Sequence, residues 1–64
     1  MTDRDRILRA LDATKTAYLE AENYGSKDWV QVANPKGGDS IIFTFDDSEE
    51  LTGVAWTSGF AGGA

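Results

Sequence analysis

Two different periodicities organise the apolar positions of this chain. The run Ser40-Ile41-Ile42-Phe43-Thr44-Phe45-Asp46 is β-branched and aromatic, with Gly37-Gly38 before it and Asp47 after it. Such a run predicts a strand. Strand side chains alternate, so Ile41, Phe43 and Phe45 share one face while Ile42 and Thr44 share the other. A strand that is apolar on both faces suits the middle of a sheet. Near the N-terminus the period lengthens. Ile7, Ala10, Leu11, Thr14, Ala17, Tyr18 and Ala21 fall within an arc of about 120° on a helical wheel. Thr2, followed three residues later by Asp5, resembles a capping box with Asp in place of Glu. Gly25 is placed to end the helix in a left-handed conformation. A helix over residues 3–23 is expected. Leu8 and Leu19 lie on the flank of its apolar arc, where they cover a sheet edge or offer a second contact surface.

Two further strands are predicted, over residues 29–34 and 51–57. Asn34-Pro35-Lys36-Gly37-Gly38-Asp39 has the Pro and Gly of a turn. It lacks the glycine spacing and the Lys-Ser/Thr pair of a phosphate loop. Asp46-Asp47-Ser48-Glu49-Glu50 makes the next turn. The expected fold is α+β, with one N-terminal helix packed on a three-stranded antiparallel meander (α-β-β-β). It forms a single domain over residues 1–58, followed by a flexible Gly-rich tail over 59–64. Short connections make consecutive strands neighbours, which centres residues 41–45. Val30, Val32, Phe43, Phe45, Val54 and Trp56 form the face expected under the helix. Trp29, Gln31, Ala33, Ile42, Thr44, Leu51, Gly53 and Ala55 form the other. One helix covers one face, so Trp29, Ile42 and Leu51 are candidates for an open patch that meets a partner or a second copy. The plainer reading is a mildly apolar face in water.

Size sharpens that question. A 64-residue chain buries only about 60% of its unfolded surface. It contains no Cys and no His, so neither disulfides nor the usual zinc sites reinforce it. Close packing or a partner must do so. No apolar run reaches the roughly 20 residues of a membrane-spanning helix, and the charged N-terminus lacks the apolar region of a signal peptide. A cytoplasmic protein is expected, in the host cytoplasm if phage-encoded. Charge is unevenly spread. Up to residue 36, six bases balance six acids; beyond it lie five acids and no base, so the whole net charge of −5 sits in that half. Such a surface repels a phosphate backbone and attracts a basic protein.

The missing residue types also limit chemistry. Neither a Ser-His-Asp nor a Cys-His arrangement can be assembled, so an enzyme is not expected, nor a cofactor or a metal site. Asp46, Asp47, Glu49 and Glu50 offer oxygen ligands but not the spacing of an EF-hand loop. They are read either as a solvated turn or as a docking site for a basic surface. Arg4, Arg6 and Arg9 stand in the first helical turns, where the helix dipole disfavours cations. Asp3 and Asp5 offset them in the plainer reading; in the other they form an anion-binding site, for which Arg is suited.

These features point to a small acidic, non-enzymatic binding protein acting by stoichiometric protein–protein contact. It would be an inhibitor or adaptor of the kind phages encode against a host defence or nucleic-acid-handling protein. The expected partner is a protein with a basic surface, and a homodimer stays open; direct nucleic-acid binding and membrane association are not expected. Two alternatives stand beside it: a homo-oligomer that binds or sequesters a small anionic ligand such as a nucleotide, and a structural subunit of a larger assembly.

Overall fold

Thr2 opens the helix. Its hydroxyl accepts from the Asp5 amide, and the Asp5 carboxylate accepts from the Thr2 amide, the reciprocal pair of a capping box. The computed structural model describes residues 1–21, 28–34 and 38–59. In it helix α1 spans Asp3–Thr14, well short of the expected residue 23. Lys15 takes the left-handed conformation, with φ 56°. The Lys15 amide turns back to the Asp12 carbonyl and the Thr16 amide to that of Leu11, which together close a Schellman ending. Thr14 assists by donating its hydroxyl to the Ala10 and Leu11 carbonyls, a local bond that competes with helix continuation. The expected cap at Gly25 lies outside the described residues.

The segment after the helix becomes a strand because it finds a pairing partner. The sheet has four strands, not three: β1 (Tyr18–Glu20), β2 (Asp28–Ala33), β3 (Asp39–Phe45) and β4 (Leu51–Ser58). They are antiparallel in the order β1-β2-β3-β4. β3 is paired on both sides, as its two apolar faces require. Register aligns Glu20, Val30, Phe43 and Val54 in one row and Tyr18, Val32, Ile41 and Trp56 in another on the same face. The opposite face carries the rows Leu19-Gln31-Ile42-Ala55 and Trp29-Thr44-Gly53. The turn residues 35–37 and the tail residues 60–64 lie outside the described set. Gly59 is tied down: its amide donates to the Gly38 carbonyl.

Val30, Val32 and Phe45 are buried, and Ile7, Leu8, Leu11, Tyr18 and Phe43 pack against them. Once the helix stops at Thr14, its inward stripe is Arg4, Ile7, Leu8 and Leu11, at the spacing of one helical face. Leu8 therefore belongs to the core, whereas Ala10 and Thr14, expected there, are exposed. Val54 and Trp56 also depart from expectation. They share the helix-side face, yet they remain 55% and 68% exposed. A helix is about 10 Å across and strands lie about 4.8 Å apart, so one helix covers about two strands. Here α1 packs on the cluster of Val30, Val32 and Phe45, bonds to β1 through Arg4–Glu20 and Asp12–Tyr18, and meets β4 only at its first residue, Leu51.

Candidate partner-binding surface

The acidic turn is partly built into the fold. Asp46 accepts through Oδ1 from the Ser48 and Glu50 amides, both at 2.9 Å, which shapes the turn as Asx side chains commonly do. Glu49 adopts φ 63°, a conformation that Gly would take more cheaply. Its side chain is nevertheless used: Glu49 Oε1 accepts from the Thr2 hydroxyl at 3.0 Å, and its carbonyl accepts from the Arg4 amide. Asp3 accepts through Oδ2 from the Leu51 amide. The first turn of α1 is thus fastened to the β3–β4 turn, where one of the amides left free at a helix start, that of Arg4, is satisfied. Of the four predicted docking acids, Asp46 and Glu49 are half-buried and engaged, while Asp47 and Glu50 are exposed. Asp5 is also conditioned by this end of the helix. Its backbone and side-chain bonds with Thr2 hold its carboxyl below the usual carboxylate value.

The three arginines do not converge. Arg4 lies on the inward stripe with its side chain only 16% exposed and pairs with Glu20 of β1. Arg6 and Arg9 are exposed and, three positions apart, share a different side of the helix. Arg4 is thereby committed inside the fold, and the three arginines form no cluster. Tyr18 anchors the far end of the helix, donating its hydroxyl to Asp12 at 2.9 Å. That bond raises the phenol above its ordinary value.

The predicted trio on the open face divides. Trp29 pairs with Thr44, and Ile42 with Gln31, so the two are diagonal neighbours on the face away from the helix, both half-buried. Leu51 stands instead opposite Phe45, in the row that faces the helix, because the register shifts between Thr44 and Phe45. A one-residue slip changes the face on which a residue is counted, and alternation along the sequence alone misses it. The face away from the helix is also less open than expected. Gln31 and Ser40 are buried. Gln31 Nε2 donates to Ser40 Oγ at 2.8 Å, and the Ser40 hydroxyl donates to the Gly59 carbonyl.

Among the described residues of the sheet, the large exposed apolar side chains therefore gather on β4. Val54, Trp56 and Leu51, which is 40% exposed, line it. β4 contains no charged residue and no Pro. Exposed acids bracket it: Asp39, opposite Ser58, at one end, and Asp47 and Glu50 in the turn at the other. Alternation along the sequence identifies Val54 and Trp56 as a hydrophobic pair and places them on the helix side of the sheet, but not beyond the reach of the helix. The signal that separates them is position, since the last strand of a meander is an edge and edges usually carry charge.

Among the described residues no pocket forms and no group of acidic side chains is arranged to hold a metal ion. No described helix is long and apolar enough to cross a membrane. No family model, characterised protein or solved structure matches the chain.

Proposed function

We propose that this chain acts by stoichiometric contact with another protein, as a small inhibitor or adaptor, and that it docks through β4. The observation that carries the reading is the exposure of Trp56 and Val54 on an uncharged strand. A large apolar side chain left in water next to another marks an interaction site more often than a lone one does, and Trp is a frequent anchor of protein interfaces. The acids at both ends of the strand add electrostatic preference for a basic rim on the partner. Asp47 and Glu50 are the members of the acidic turn available for this. Asp46 and Glu49 serve the turn itself.

The test begins with capture of binding proteins from extracts of the source organism, followed by affinity measurements with each purified candidate. Trp56→Thr keeps a strand-forming residue while removing the anchor, and Asp47→Asn with Glu50→Gln removes the free charge. The first change should weaken binding at least tenfold. The second should slow association and flatten its dependence on salt. A partner that binds both variants as it binds the unaltered chain would show that β4 is not the docking site.

A further inference from the structure

We propose that the outer edge of β4 receives an extended segment of the partner as a fifth antiparallel strand, and that this segment is apolar at alternate positions with Lys or Arg at its two ends. The inference rests on the preceding reading that β4 is the docking site, and it specifies how docking occurs.

Main-chain direction supplies the first observation. The Asn34 amide donates to the Asp39 carbonyl, and the Gly59 amide donates to the Gly38 carbonyl. In an antiparallel ladder, hydrogen-bonding direction alternates from one residue to the next. Asp39, Ile41 and Phe43 therefore turn their main-chain groups toward β2, and Gly38, Ser40 and Ile42 turn theirs toward β4. Thr57 and Ala55, opposite Ser40 and Ile42, point inward. The amides and carbonyls of Val54, Trp56 and Ser58 point outward, away from the sheet. Among the described residues none pairs with these outward groups, and they belong to the strand residues whose side chains are most exposed, Val54 and Trp56, so an added strand meets both at once.

The second observation is the lack of protection. Exposed edges are normally kept short or blunted by charge, Pro or bulges. The opposite edge, β1, obeys this with three residues. β4 has eight, none charged and none Pro, and its register shift lies only at the Leu51 end. Strand addition to such an edge draws affinity from main-chain bonds and specificity from alternate side chains.

Charge identifies the occupant. Asp39 marks one end of the edge, and Asp47 and Glu50 the other; from residue 37 onward there is no base. An antiparallel second copy would bring its own acidic turn toward Asp39, and the segment from residue 37 onward supplies no base to offset it. A segment ending in Lys or Arg meets opposite charge at both ends.

Three synthetic octapeptides test this with the intact chain: an alternating Val/Thr peptide with Lys at both ends, its Glu-ended counterpart, and the Lys-ended form N-methylated on alternate amides. Trp56 fluorescence reports binding, and amide exchange by NMR reports the mode. The Lys-ended peptide should slow exchange of the Val54, Trp56 and Ser58 amides at least tenfold, leave Ala55 and Thr57 little changed, and bind more weakly as salt rises. The other two should bind at least tenfold more weakly. Equal binding of the Glu-ended peptide, or no binding by any of the three, overturns the inference. So does a Trp56 response without slowed exchange at those amides. Slowing that grows with protein concentration in the absence of peptide assigns the edge to a second copy, and equally overturns it. The proposed function fails separately, if captured partners are indifferent to Trp56→Thr and to loss of the acids.

Discussion

Two parts of one sheet face meet different fates. Under α1, Val30, Val32 and Phe45 are buried. One or two strands away, Val54 and Trp56 lie in the same rows and are mostly exposed. The residues are of the same kind, and the alternation that places them is the same. What differs is the reach of the cover. A 12-residue helix is about 18 Å long and too narrow for a four-stranded sheet. Apolar character therefore locates the face, while the geometry of the covering element decides which part of that face becomes core and which part stays available for binding.

The sharpest way to break this comparison is to truncate one residue from each part. Phe45→Ala empties a fully buried site and should cost about 3–5 kcal/mol. A 64-residue domain holds only about 3–10 kcal/mol in total, so this variant should be largely unfolded. Trp56→Ala should stay within about 0.5 kcal/mol of the unaltered chain. Urea titrations followed by circular dichroism would decide it, and equal losses would dismiss the distinction. On the other face, Ser40→Ala removes two of the three bonds that join Gln31, Ser40 and Gly59, leaving only the long Gln31 Nε2–Gly59 carbonyl contact at 3.4 Å, and should cost about 1–2 kcal/mol. A neutral result would mean that the end of β4 does not depend on this bond. Thr2→Ala removes the N-cap and the bond to Glu49, for about 1 kcal/mol, seen as an earlier urea midpoint.

The smallest effect concerns acid. Asp5 is held below the usual carboxylate value in the folded chain, chiefly by its backbone bond with Thr2. Its contribution is therefore present above that usual value and is lost as the pH falls through the folded value, from about pH 4 downward. Urea midpoints of the unaltered chain and Asp5→Ala should converge across that window. A gap that persists in strong acid would show that the aspartate's charge is not what stabilises the helix start.

Much of this architecture is legible in the residues, for identifiable reasons. The run at 40–46 is apolar on both faces, and β3 is paired on both sides. Thr2 and Asp5 form the capping box their spacing suggests. The helix end was not legible, because Ala17, Tyr18 and Ala21 fit a helical wheel as well as they fit a strand. Only the presence of β2 as a partner decides between them. An open apolar patch is expected on Trp29, Ile42 and Leu51, whereas the exposed apolar side chains of the sheet are Leu51, Val54 and Trp56. Moving it from Trp29 and Ile42 to Val54 and Trp56 required knowing how far α1 extends. Moving Leu51 required the register shift at Phe45. Both are consequences of pairing and packing over distance, which no local pattern encodes.

The fastening of the helix start to the β3–β4 turn has a consequence for the order of folding. Thr2, Asp3 and Arg4 bond to residues 49 and 51, nearly the whole length of the described chain away. A helix of 12 residues is marginal by itself, and contacts of such separation form late because the loop they close must first be confined. The β3–β4 hairpin, set by Asp46 within a few residues, can form on its own schedule. The helix, synthesised before the strands it packs on, is then among the last elements to settle. It waits for a turn that leaves the ribosome 45 or more residues later.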